Sequence, residues 1–241
     1  MPVPKLHLAS SSPRRRQILD NMGLEYTAAG VDVDERQHPG EAADIMVVRL
    51  AAVKACAAPA EAGNVVLGAD TAVVLDGEVF GKPADQEDAL RMLGRLSGRR
   101  HEVMTGVAVR AGGVTKSALS VTEVTFRDIG PDEALDYWQS GEPEGKAGAY
   151  AIQGRGGAFV ASIAGSYTGV VGLPVLETAE LLRWAGIEVP DEAFETGRRW
   201  MSGLRPADSP TVCCSMVRPG FLRLMSVMVN WPGLCVKIRK S

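Results

Sequence analysis

Residues Leu6 to Ala9 read as a short apolar strand that passes directly into Ser10-Ser11-Ser12-Pro13-Arg14-Arg15-Arg16 and then into a helix closed by Gly23. Ser12 suits the N-cap, Pro13 suits the first helical position, and Ile18, Leu19 and Met22 supply the apolar face. A strand feeding straight into a helix is a building unit of α/β architecture. The same junction points to chemistry. A helix start exposes unpaired N–H groups and a partial positive charge, so arginines are unfavourable there unless an anion offsets them. Hydroxyls and guanidinium groups on that start make a receptor for phosphate, against the simpler alternative of a solvated basic first turn.

Further along, Val65 to Leu67 lead into Gly68-Ala69-Asp70-Thr71, then Ala72 to Leu75, Asp76-Gly77 and Glu78 to Phe80. An Asp-Gly pair between apolar runs predicts a hairpin. An acidic cap at Asp85 to Asp88 opens a helix with Ala89, Leu90, Met92, Leu93 and Leu96 on one face, closing at Gly98. Strands are predicted over Val103 to Val109 and, after Gly112-Gly113, over Leu119 to Phe126. Helices are predicted from Pro131 through Trp138 and from Val175 to Ala185. The pattern is mixed α/β up to about residue 189.

The 241 residues, 46% hydrophobic and 23% charged, suffice for one large or two small cores. A net charge of -3 gives no general attraction to nucleic acid polymers or anionic lipid, so the early arginines are a local feature. The N-terminus lacks the pattern of a signal peptide, and the expected location is the cytoplasm. Cysteines at 56, 213, 214 and 235 and histidines at 7, 38 and 101 show no zinc-ligand spacing.

Asp70 lies in an otherwise small and apolar run, where a charge must be paired, metal-bound or perturbed; a solvated strand-end aspartate is the plainer alternative. Gly68 is read as allowing close approach of a ligand, and Asp70 as standing at a strand end, where ligand sites of α/β sheets gather. Asp32, Asp34 and Glu35 form an acidic loop that could complete a site for magnesium or manganese. Lys54 and Lys82 are charges of the kind that neutralise phosphate oxygens. Gly77 to Pro83 is no P-loop, since it is one residue short, ends in proline and follows a hairpin. The glycines of Gln153-Gly154-Arg155-Gly156-Gly157 make a tight loop, from which the Gln153 amide can read a base edge.

In order along the chain, Ala9 to Arg15, Val33-Asp34-Glu35, Leu50 to Ala55, Gly68 to Thr71, Gly81-Lys82-Pro83 and Lys146 to Gly154 match the blocks of Maf proteins, and residues 5 to 189 resemble a Maf nucleoside triphosphate pyrophosphatase. The resemblance implies an elongated mixed twisted sheet flanked by helices, of the inosine triphosphate pyrophosphatase-like kind, in a homodimer. It implies hydrolysis of dTTP and UTP, rather than 7-methyl-GTP, to the monophosphate and pyrophosphate, with Arg14, Thr71 and Gln153 setting specificity. Asp70 would be the general base, and Glu35 would help hold a divalent cation. Ser10, Arg14, Arg15, Lys54 and Lys82 would contact the triphosphate. A nucleotide-binding regulator of septum formation and a house-cleaning enzyme for modified nucleotides are the alternatives. Residues 190 to 241 fall outside the resemblance and are expected to be an extension; Met216 to Val236 is interrupted by Arg218, Pro219, Arg223 and Pro232, so no membrane span is expected.

Overall fold

The computed structural model describes residues 4–59 and 63–190. In chain order the elements are β1 (Leu6–Leu8), α1 (Pro13–Asn21), β2 (Tyr26–Ala28), α2 (Ala43–Ala57), β3 (Val65–Leu75), β4 (Glu78–Phe80), α3 (Gln86–Leu96), β5 (Arg100–Ala111), β6 (Val114–Phe126), α4 (Pro131–Gln139), β7 (Val160–Ala164), α5 (Tyr167–Val171) and α6 (Val175–Trp184). They form a seven-stranded mixed sheet in the order β2-β1-β3-β5-β6-β7, with β4 also paired to β3. The β1 pairings are parallel and the others antiparallel. Apart from Pro190, the extension expected beyond the resemblance lies outside the described residues.

The predicted hairpin forms, with Asp76 and Gly77 both at positive φ (53° and 80°), the geometry of a turn whose twist matches its strands. Asp85 caps α3 by accepting the Asp88 N–H at 2.9 Å. The strands predicted over Val103 to Val109 and Leu119 to Phe126 are longer than expected, at 12 and 13 residues, because they pair with each other from Arg100↔Thr125 to Ala111↔Val114.

Four hydrophobic clusters of the described residues pack on this sheet, and the two largest flank the middle of β3. One gathers Leu6, Leu8, Ile18, Leu19, Leu67 and Leu182 around α1 and α6; the other gathers Leu75, Phe80, Leu93, Val124, Phe126 and Tyr137 around α3 and α4. β3 runs through both. Val65, Leu67 and Ala69 belong to the first and Val73 and Leu75 to the second, and between them only Asp70 and Thr71 are less than fully buried. The chain therefore corrects two expectations. Residues 65 to 75 are one continuous strand, and Asp70 stands in its middle, not at its end.

Helix α2 is apolar on nearly all sides and lies against β3, β5 and β6. A β-carbon on Gly68 would lie 2.3 Å from the Ala51 carbonyl oxygen, and one on Gly106 would lie 2.3 Å from that of Val47. Gly68 thus serves the approach of a helix, not the ligand approach expected from the sequence. Gly68 and Asp70 share one face of the strand by its alternation. The contact that demands glycine at 68 is therefore the one that aims Asp70 at α2.

Candidate active site

The cleft follows from the edge of β3. That edge is paired with β1 through Val65 to Leu67 and with β4 through Val73 to Leu75. Between them it has no strand neighbour among the described residues, so side chains of both faces near Asp70 reach a common opening. A cavity of about 600 Å³ lies there, lined by the start of α1, the loop carrying Glu35, Lys54 of α2, Lys82 beyond β4, Lys146, Ala147 and Tyr150 to Gln153. Ser10, Arg14, Arg15, Glu35, Lys54, Asp70, Thr71, Lys82 and Gln153, named from the sequence, all line this single cleft.

Lys54 Nζ is 2.6 Å from Asp70 Oδ1 and 2.5 Å from Glu35 Oε1, and Lys82 Nζ is 3.6 Å from Glu35 Oε2. Partial burial works against the charge on Glu35, but the hydrogen bonds and charges of Lys54 and Lys82 outweigh it and leave the carboxyl below its ordinary range. The Lys54 ammonium is thus engaged by carboxylates, and of the two lysines it is Lys82 whose side chain, 65% exposed, faces solvent.

The acidic loop divides. Asp34 turns to its own neighbour, with its Oδ2 2.6 Å from Arg36 Nη2, and neither it nor Asp32 lines the cleft. Only Glu35 of the expected trio joins Asp70. The loop is fastened from behind, where the Arg49 guanidinium donates to both oxygens of Glu41 at 2.6 and 2.7 Å and to the Arg36 carbonyl at 3.1 Å.

No three His, Cys, Asp or Glu side chains among the described residues gather to hold a metal ion by themselves. Asp70 and Glu35 meet the requirement differently. Both carboxylates contact one nitrogen, so their nearest oxygens are no more than about 5 Å apart. A hard divalent cation bound through one or two carboxylates completes its shell from phosphate oxygens and water, and this pair fits that arrangement.

At the start of α1 the hydrogen bonding departs from expectation. Ser12 has extended backbone but its side chain makes no cap. The Ser10 hydroxyl instead accepts the Ser12 N–H and an Arg15 Nη1–H, each at 3.2 Å. With both lone pairs taken, its own proton is left to give, which suits a phosphate oxygen. Arg15 also donates to the Gly172 carbonyl at 2.8 Å and to the Thr71 hydroxyl at 3.4 Å. Thr105 donates to the Gly169 carbonyl at 2.8 Å, so the 3.0 Å contact between Thr71 and Thr105 has Thr71 as donor. A relay from α1 to α5 therefore fixes Thr71.

Arg14 is different, because its Nε is buried without a hydrogen-bond partner among the described residues. Burial lowers the pKa of Arg14, and that of Arg15 too, where the Asp70 charge partly compensates. Lys146, to which the sequence assigned no role, lines the same wall, and burial followed by the Arg14 charge lowers its pKa. Two partly buried cations thus stand side by side on this wall, each with its charged form disfavoured by burial.

A family profile described as "Maf-like protein" matches residues 5–185. The chain belongs to the Maf family. Among similar proteins, a dTTP/UTP pyrophosphatase of Methylococcus capsulatus is 55% identical over 187 residues, 76% of this chain and 92% of that protein. One from Anaeromyxobacter dehalogenans (strain 2CP-C) is 56% identical over 194 residues, 79% and 98% of the two chains. One from Bordetella pertussis is 53% identical over 202 residues, 78% and 95%. The Maf match begins just before β1 and ends just after α6, so it contains every element that lines the cleft. Among the described residues no helix is long and apolar enough to cross a membrane.

Proposed function

We propose that this chain hydrolyses dTTP and UTP to the nucleoside monophosphate and pyrophosphate. The observation that carries the reading is the meeting, in one cleft, of the Asp70–Lys54–Glu35 cluster with a cationic wall of Arg14, Lys82 and Lys146. Its relatives bear the name of that activity.

Phosphoryl chemistry requires positioning and charge neutralisation more than covalent help. Ser10 and Arg14 receive phosphate oxygens at the start of α1, and Lys82, beyond β4, adds a further charge to them. Asp70, oriented by Lys54, accepts the proton of the attacking water through the carboxylate oxygen that Lys54 does not contact. Magnesium or manganese, held by Asp70 and Glu35 with phosphate oxygens, would supply further neutralisation of the triphosphate. Gln153 reads the base: uracil and thymine present a carbonyl, an N–H and a second carbonyl, a pattern that a fixed amide pairs with and that cytosine breaks.

The test is pyrophosphate release from UTP, dTTP, CTP and modified triphosphates with magnesium or manganese. Turnover of UTP and dTTP above CTP is expected, lost in excess chelator. Full activity in chelator removes the metal, and no release from any triphosphate leaves a nucleotide-binding module.

A further inference from the structure

Gln153 sits in an arc that ought to be mobile, since glycine occupies 154, 156 and 157. The arc is nevertheless fastened from outside. Glu142 Oε2 accepts the Arg155 N–H at 2.9 Å, and its Oε1 accepts the Gly156 N–H at 3.0 Å and the Tyr137 hydroxyl at 2.7 Å. The Tyr137 oxygen in turn accepts the Ala151 N–H at 3.1 Å. Three backbone N–H groups, two residues before Gln153 and two and three after it, are thus held by one tyrosine–glutamate pair from α4 and the turn that follows.

The glycines fit the same arrangement. A β-carbon at 154 would lie 2.2 Å from Glu142 Oε2, and one at 156 would lie 2.5 Å from the Tyr137 oxygen. They admit the clamp, and the clamp removes the freedom they would otherwise give. Glu142 is only partly buried and Tyr137 almost wholly so, with its ring against Phe159 at 4.9 Å between centroids.

We infer that Glu142 and Tyr137 are positioning residues for base selection, holding the 151–156 arc so that the Gln153 amide presents its donor and acceptor in fixed order. The inference rests on the base-reading role proposed for Gln153. An amide displaced by about an ångström no longer distinguishes one ring edge from another, and losses of up to about 100-fold accompany misplacements of that size. The hydrogen bonds of the clamp go to the arc and not to Asp70, Lys54 or Glu35, and its charges reach Lys146 and Arg14 on the binding wall, so its removal acts on the ratio between bases and on KM before kcat.

The experiment measures kcat and KM for UTP and CTP in the full chain and in Glu142→Ala, Glu142→Gln, Tyr137→Phe, Gln153→Ala and the Glu142→Ala/Gln153→Ala double variant. Glu142→Ala is expected to lower the UTP-to-CTP ratio of kcat/KM roughly tenfold, mainly through a higher KM for UTP. Glu142→Gln retains more of the ratio, because one amide oxygen can still accept while the NH₂ faces a backbone donor. The double variant should match Gln153→Ala alone. Equal losses on both substrates in Glu142→Ala, or a double variant well below Gln153→Ala, overturn the inference. If Glu142→Ala does not fold, wild-type ratios in both Glu142→Gln and Tyr137→Phe overturn it. A ratio unchanged in Gln153→Ala defeats the base-reading role and this inference together; a ratio that falls there but not in the Glu142 variants defeats the inference alone.

Discussion

An ammonium group with 9% of its side chain exposed, held between Asp70 and Glu35, determines what each of these residues can do. Removing one member of a buried ion pair costs about 3–5 kcal/mol, because the others keep their charge without compensation. Lys54→Met should therefore be destabilised by about 3 kcal/mol in urea unfolding without divalent cations. It should then regain more stability from added magnesium than the wild type does, since the two carboxylates are released to bind it. Equal gains in both proteins would count against a metal at this pair. Asp70→Asn keeps the shape but loses the proton acceptor, so kcat should fall by about 10²–10⁴-fold while nucleotide still binds; undiminished turnover would remove Asp70 from the chemistry. The sequence singled out Asp70, Glu35 and Lys54 by residue type. It did not show that the lysine serves the carboxylates, because chain separations of 16 and 19 residues say nothing about which partner a flexible ammonium reaches. Glu142 lay wholly outside its reach: an acid between Gly141 and Pro143 looks like any turn residue until its backbone partners are known.

At the scale of elements, the readable parts were those with local punctuation. Pro13, Asp85, Pro131 and Pro174 mark helix starts, and Asp76-Gly77 and Gly112-Gly113 mark turns, each through backbone geometry that few other residues adopt. Helix α2 had no such mark. It is buried on most sides, with Val47, Leu50, Ala51 and Ala55 all at 2% exposure or less, and so lacks the polar face that makes a helix periodic. Its seat is tested by Gly68→Ala, whose methyl would meet the Ala51 carbonyl and the Ala55 nitrogen; a loss of about 1–3 kcal/mol is expected, with reduced turnover as Asp70 shifts. Unchanged stability would mean that α2 has room to move. The loop before α2 answers to pH. The Arg49 hydrogen bonds hold the Glu41 carboxyl down to about 2 from an ordinary value of 4.5. Because the folded value is the lower, this stabilisation is complete above about pH 4.5 and is lost as pH falls toward 2. Wild-type and Arg49→Met proteins should accordingly differ in stability near pH 7 and converge near pH 2; a constant difference would show that the clasp is not ionic.

Across the described residues, the two largest cores on the sheet meet along β3, and the cleft lies there, on the stretch between its partners β1 and β4. The elements with local punctuation were legible and β2, α2, β7 and α5 were not, while the meeting of two cores at a mid-strand aspartate arises from pairings between distant segments. Every described residue lining the cleft lies between Ala9 and Gly172, and the family match ends at residue 185. The relatives are matched over 92% and 98% of their own length while covering 76% and 79% of this chain. This coverage supports the proposal that the elements from β1 to α6 make up the catalytic unit. A chain ending at Pro190 should hydrolyse UTP with kcat/KM within about twofold of the full chain, the change expected of substitutions remote from a site. Measuring both proteins side by side, with the same metal and the same UTP-to-CTP ratio as a second readout, decides the matter. A loss above about tenfold, or an altered ratio, would place residues beyond 190 in the working site or its assembly.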